Sequence, residues 1–150
     1  MEDKTENLDE ERWARSGIKP LELMASAEEY RSRAYAPYSN FFVGAAILTE
    51  DGLVVGGCNV ENASYGMSIC AERVAMSKAV SEGGGVPIAI AVAGPRGVFC
   101  PPCGACRQFL MEFNPGMYVV TQRDGHIEST RLDLLLPSGF KLKECPDAGR

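Results

Sequence analysis

The residues best suited to chemistry are three cysteines and a glutamate in two short stretches. Cys70 and Glu72 stand in C-A-E-R, whereas Cys103 and Cys106 stand in P-C-G-A-C-R-Q. The C-x-x-C spacing is typical of zinc binding, and a third thiolate from Cys70 leaves the fourth tetrahedral position open. A catalytic zinc requires that open position, and a neighbouring carboxylate can carry protons without ligating the metal. The two stretches therefore predict a catalytic zinc site.

Charge balance at this site singles out two arginines. Three thiolates and one Zn²⁺ have a net charge of about -1, which would keep the pKa of a bound water high. Arg73 lies three residues after Cys70 and can offset this charge, and Arg107, next to Cys106, is a weaker candidate. Regular helical spacing points positions 70 and 72 to different sides, so spacing alone does not place Glu72 at the metal.

The remaining cysteines leave alternatives open. Cys100 forms a second C-x-x-C with Cys103, but two intervening prolines make a poor helix start, and we interpret Cys100 as a bystander. We expect Cys58 to be a small buried hydrophobe and Cys145 a thiol of the C-terminal tail. His126 follows a turn, and we expect it to be exposed. A structural zinc site or a thiol redox pair remains the alternative to a catalytic metal.

Composition restricts the classes of function. The chain has 150 residues, of which 45% are hydrophobic and 23% charged, as in a single globular domain. A net charge of -5 disfavours binding to long nucleic acids, which usually requires a basic surface. With no long apolar run and no basic, apolar leader, we expect a cytoplasmic protein without membrane contact, whose cysteines bind metal.

Apolar periodicity and turn residues predict an α/β fold. Residues 1–19 are polar and are interpreted as an extension, loose or weakly helical, ahead of a single domain over 20–150. Asp51-Gly52 predicts a hairpin whose first strand is central, because that strand is apolar on both faces. Predicted helices cover about 20–34, 71–82, 103–113 and 132–136, and predicted strands cover 42–49, 53–58, 87–93, 117–121 and 127–130.

Both cysteine stretches fall where a loop ends and a helix begins. Free backbone N–H groups and the positive end of the helix dipole favour thiolates at such places. If Cys70 and Cys103 each follow a strand or its loop, both helix starts lie at one edge of the sheet, where sites in open α/β folds usually form.

Four motifs together resemble the cytidine deaminase family: C-A-E-R, P-C-G-A-C-R-Q, N-V-E-N-A and A-P-Y-S-x-F-x-V-G-A-A. The likeness extends from about residue 35 to residue 140. It implies a three-layer α/β/α sandwich with a mixed five-stranded sheet, and one Zn²⁺ per chain held by Cys70, Cys103 and Cys106. Cys70 stands where relatives in the wider deaminase class carry the histidine of H-x-E.

The resemblance also implies an activity. Zinc-bound hydroxide attacks C4 of cytidine or deoxycytidine, and Glu72 moves protons to N3 and to the departing ammonia, giving uridine or deoxyuridine in pyrimidine salvage. Similar family members are homotetramers with shared active sites. The substrate-binding residues implied by the resemblance are Asn59 and Glu61 at the ribose, Ala71 at the base and Phe41 packed against the substrate. Tyr65 and Phe140 are implied to reach a neighbouring subunit's pocket.

The Asn59-x-Glu61 spacing has a physical meaning of its own. Two polar side chains at alternate positions of a loop can bind sugar hydroxyls, and the carboxylate would repel a phosphate. This favours a nucleoside over a nucleotide. Three alternative functions remain. A deaminase of a nucleoside antibiotic is disfavoured by Asn59, Glu61 and Phe41, and a nucleic-acid-editing deaminase is disfavoured by the acidic composition. The third alternative is a non-catalytic zinc-binding module.

Overall fold

The computed structural model describes residues 11–142, which form a five-stranded sheet covered by helices. The strands are β1 (Gly44–Thr49), β2 (Val54–Cys58), β3 (Pro87–Ala93), β4 (Tyr118–Arg123) and β5 (His126–Arg131). The helices are α1 (Pro20–Arg31), α2 (Ala71–Ser81), α3 (Gly104–Met111) and α4 (Leu132–Leu135), with a 3₁₀ turn at Tyr65–Met67.

The sheet is mixed, with strand order β2-β1-β3-β4-β5. Neighbouring strands are antiparallel except for β3 and β4, which are parallel and are therefore joined by a crossover containing α3. Two Asp-Gly turns close the hairpins, and their glycines Gly52 and Gly125 have φ of 82° and 80°. Such positive φ values favour glycine. The predicted hairpin at Asp51-Gly52 is confirmed.

Helices cover both faces of the sheet. Every residue of β1 and β3 is buried, which confirms that the first strand of the hairpin is central. Alternate residues of β1 point to opposite layers: Ala45 and Ile47 pack with α2 and α3, whereas Ala46 and Leu48 pack with α1. This is the predicted three-layer α/β/α sandwich, and the predicted elements are all present with ends shifted by a few residues.

The segment before α1 contacts the domain. Residues 11–16 are helical, and the indole Nε1 of Trp13 donates a hydrogen bond of 2.7 Å to the carbonyl of Ile18. The Trp13 ring lies 5.3 Å from that of Tyr118 on β4, measured between centroids. Residues 1–10 and the predicted tail thiol Cys145 lie outside the described residues, and the domain boundary at residue 20 stays a prediction.

Glycines allow two helices to approach the sheet closely. A Cβ at Gly57 of β2 would lie 2.5 Å from the backbone nitrogen of Ala75 and 3.0 Å from the carbonyl oxygen of Ala71, both on α2. A Cβ at Gly44 of β1 would clash with the backbone of α1 at Ala27. The position of α2, which carries Glu72, therefore depends on Gly57 of β2 having no side chain.

The Gly57→Ala substitution is expected to lower the free energy of unfolding by about 1–3 kcal/mol, since the backbone of α2 would have to move. Urea unfolding measures this change. Gly66→Ala is the matched control, because its Cβ meets nothing within 4 Å and its φ is not positive. Equal stability of the two variants would show that α2 does not depend on close approach at Gly57.

Candidate active site

The structure brings the three predicted sulfur ligands together. Cys70 is the N-cap of α2, Cys103 is the N-cap of α3, and Cys106 lies in the first turn of α3. Their Sγ atoms all lie within 4.8 Å of one another. Tetrahedral zinc with Zn–S bonds of about 2.3 Å needs sulfurs about 3.8 Å apart, so the three soft donors fit this metal after a small adjustment. The two predicted helix starts do meet at one edge of the sheet.

The sulfur atoms interact electrostatically. A hydrogen bond from the Cys106 thiol, helped by Cys103 and by the charge of Arg73, lowers the pKa of Cys70 to about 6 despite its partial burial. The same hydrogen bond, together with burial, raises the pKa of Cys106. Cys70 is therefore the first of this pair to ionise, as its place at a helix N-terminus also favours.

Glu72 faces the pocket that contains Cys70 and Cys103. Only 5% of its surface is exposed, and this burial is the main reason why its pKa is raised. Spacing alone could not place this carboxylate beside the cysteines, and the structure puts it in one pocket with Cys70 and Cys103. A buried carboxyl group beside three thiols is suited to taking up and releasing protons.

The two arginines differ in what they contact. Arg73 donates from Nη2 to the carbonyl of Ser68 at 3.1 Å, and its charge helps to lower the pKa of Cys70. Its buried Nε has no hydrogen-bond partner among residues 11–142. Arg107 donates to the carbonyls of Pro102 at 2.8 Å and Leu135 at 2.9 Å, so it fastens the loop before Cys103 to α4.

The pocket has a volume of about 390 Å³, which is in the size range of small-molecule sites. It is lined by several of the residues expected to bind substrate: Phe41, Asn59, Glu61 and Ala71. Tyr65 and Phe140, the residues expected to reach a neighbouring subunit, do not line it and are 77% and 66% exposed. Tyr65 instead borders an adjacent cavity together with Glu61.

Asn59 and Glu61 also brace the chain segment that carries Phe41. Asn59 accepts a hydrogen bond from the Val43 amide and donates one to the Phe41 carbonyl, both at 2.8 Å. Glu61 accepts from the amides of residues 38 and 39 and from the Ser39 hydroxyl, and the hydroxyl bond is the main reason why its pKa is lowered. The sequence motif gave no signal for this bracing role.

Five pocket residues were not predicted from the sequence to line the site: Ser39, Val43, Phe99, Cys100 and Pro101. Cys100 is not part of the three-sulfur cluster, and burial raises its pKa to about 11. Of the other residues considered from the sequence, Cys58 is partly buried at the end of β2, and His126 is exposed as expected.

No helix within residues 11–142 is both long and apolar enough to span a membrane.

Comparisons with known proteins agree with this geometry. The family model for the cytidine and deoxycytidylate deaminase zinc-binding region matches residues 19–122. A cytidine deaminase of Sporosarcina psychrophila is 46% identical over 124 residues, which cover 81% of this chain and 91% of the relative. A cytidine deaminase of Halalkalibacterium halodurans is 44% identical over 127 residues, which cover 83% and 96%.

A solved structure supports the same family assignment. The crystal structure of cytidine deaminase from Burkholderia pseudomallei superposes with a TM-score of 0.77 at 46% identity, covering 82% of this chain and 100% of that one. The region matched by the family model contains both helix starts that carry the sulfur ligands. This chain belongs to the zinc-dependent cytidine and deoxycytidylate deaminase family.

Proposed function

We propose that this protein hydrolytically deaminates cytidine and deoxycytidine to uridine and deoxyuridine. The observation that carries the proposal is the buried carboxyl group of Glu72 in one pocket with Cys70 and Cys103. A thiol redox pair would not need this carboxyl group, and a structural zinc site would not need a pocket of nucleoside size beside it.

Each residue of the site has a distinct part in the proposed reaction. Cys70, Cys103 and Cys106 hold the zinc, which when bound acts as a Lewis acid that makes water nucleophilic near neutral pH. Glu72 takes up one proton as water adds at C4 and delivers it to N3; it then takes the proton of the new C4 hydroxyl and delivers it to the exocyclic nitrogen, so that the C4–N bond breaks, the C4 carbonyl forms and ammonia leaves. Arg73 offsets the negative charge of the thiolates.

The sugar end of the pocket favours a nucleoside. Asn59 and Glu61 would bind ribose hydroxyls, Phe41 would pack against the substrate, and the backbone of Ala71 would contact the base. The lowered pKa of Glu61 keeps this carboxylate charged at neutral pH, so it would repel a 5′-phosphate. The same residues favour an ordinary pyrimidine nucleoside over a nucleoside antibiotic.

We further propose that the protein is a cytoplasmic homotetramer of pyrimidine salvage, with active sites shared between subunits. Large apolar side chains are exposed on the two chain segments that contribute Phe41, Asn59 and Glu61 to the pocket, and such surfaces usually mark interfaces. They include Tyr35, Tyr38, Phe42, Val60, Tyr65, Met67 and Ile69. Tyr65 and Phe140 would then contact the substrate of a neighbouring subunit, which accounts for their exposure in the single chain.

Glu72→Gln is expected to lower kcat for cytidine by about 100- to 10,000-fold, because the amide cannot carry protons. Loss of absorbance as cytidine becomes uridine measures turnover, and zinc is quantified in the same samples. Glu82→Gln, an exposed residue just after α2, is the matched control and should keep full activity. Zinc retained in Glu72→Gln with undiminished turnover would remove Glu72 from the mechanism, whereas a zinc-loaded wild type without turnover would point to a non-catalytic module.

Cys103→Ser is expected to lower the zinc content well below one ion per chain, because a hydroxyl is a poor replacement for a thiolate ligand. Cys100→Ser tests the alternative C-x-x-C pair and should keep about one zinc per chain. Metal analysis of the purified variants measures both. Zinc loss in Cys100→Ser, with zinc retained in Cys103→Ser, would reverse the assignment of ligands.

Light scattering is expected to give a mass of about four chains. Phe140→Ala should raise KM for cytidine by about two- to tenfold, since an aromatic contact to the substrate would be lost. Its free energy of unfolding as a single chain should hardly change, because Phe140 is exposed. A monomer with full activity would contradict both the shared sites and the tetramer.

A further inference from the structure

Phe99 lies in the candidate active site without an assigned role. It precedes Cys100 in the segment between β3 and α3, and it lines the same pocket as Phe41 and Glu72. Its side chain is 40% exposed. An aromatic ring that is neither in the core nor fully in solvent, and that borders a pocket, is placed to contact what binds there.

Arg123 holds the Phe99 ring from the side of the sheet. The guanidinium carbon of Arg123, the last residue of β4, lies 3.8 Å from the centroid of the ring. Its Nε lies 3.5 Å from Oε2 of Glu128 on the neighbouring strand β5. A cation over one ring face restricts where the ring can lie, so the β4–β5 hairpin fixes this wall of the pocket.

The position of Phe99 along the chain indicates which part of a nucleoside it meets. The sugar end of the pocket is marked by Asn59 and Glu61, which hold the backbone around Phe41. Phe99 belongs instead to the segment that leads into the metal-binding Cys103, four residues later. The same segment also supplies Cys100, Pro101 and Cys103 to the pocket lining, so Phe99 belongs to the metal-binding wall, where C4 of the base must react.

N3 and C5, the two ring atoms next to C4 of a pyrimidine, require different neighbouring groups. N3 requires a proton donor, and Glu72 supplies one in the proposed mechanism. C5 carries only C–H and needs an apolar neighbour. Phe41 and Phe99 are the large apolar side chains of the pocket, and Phe99 is the one on the segment that leads into Cys103.

We propose that Phe99, positioned by Arg123, packs against the C5 edge of the base and limits the size of substituents accepted there. This inference rests on the proposed function. Phe99 is then a specificity-determining residue and Arg123 a positioning residue. Cytidine is the preferred substrate, and 5-methylcytidine is disfavoured by the ring that Arg123 holds in place.

The test compares kcat/KM for cytidine and for 5-methylcytidine. In Phe99→Ala, the ratio of 5-methylcytidine to cytidine is expected to rise by about tenfold, the size typical of one methyl group in an apolar pocket. KM for cytidine should rise while kcat changes little, because Glu72 and the cysteines are untouched. Arg123→Gln should shift the ratio in the same direction by about two- to fivefold, and Arg123→Lys, which keeps a cation, should recover part of the wild-type ratio.

Controls separate this proposal from the proposed function. Arg96→Gln changes an arginine on the same segment that does not line the active-site pocket, and it should leave both substrates unaffected. An unchanged ratio in the Phe99 variant, with cytidine still turned over, overturns the specificity role alone. No turnover of either substrate by the wild type overturns the proposed function and this inference with it. If Phe99→Ala does not fold, the ratio of kcat/KM for 5-methylcytidine to that for cytidine in Phe99→Leu and Arg123→Gln tests the proposal instead.

Discussion

Three thiols and a carboxyl group, all of which tend to become negative, must lie within a few ångströms of one another. Their mutual repulsion is the constraint on which the architecture depends. Cys70 and Cys103 both cap helices, so unsatisfied N–H groups of α2 and α3 face the sulfur atoms. Arg73 adds a positive charge beside Cys70. β2 and β3 are both antiparallel to β1, which lies between them, so the ends of β2 and β3 that lead into α2 and α3 lie at the same edge of the sheet. The close approach of α2 at Gly57 keeps its start near that of α3.

The parts of this arrangement that depend on local chemistry could be predicted from the sequence. Asp51-Gly52 predicted a tight turn, and the apolar run over residues 42–49 predicted a central strand, which the structure confirms. The sulfur cluster followed from two cysteine motifs at helix starts, because strand–helix connections deliver such starts to the same sheet edge. Neither step needed any knowledge of long-range side-chain contacts.

The placement of Glu72 was open because helical spacing was applied to a residue outside the helix. Cys70 has φ of -70° and ψ of 152°, an extended conformation, so the rotation of about 100° per residue begins only at Ala71. Other contacts join residues far apart in the chain, such as Arg107 with Leu135 and Phe99 with Arg123. No local pattern signals these pairs, since each depends on how β4 and α4 pack against the segments around α3.

The bracing role of Asn59 and Glu61 is compatible with the ribose contacts proposed for them. A carboxylate offers about four acceptor positions, and Glu61 uses three on the amides of Tyr38 and Ser39 and the Ser39 hydroxyl. The Asn59 amide has two N–H donors and uses one on the Phe41 carbonyl. Glu61 therefore keeps one acceptor position, and Asn59 keeps one donor and one acceptor position. These hydrogen bonds already fix the orientation of both side chains, so binding a sugar hydroxyl would cost little side-chain entropy.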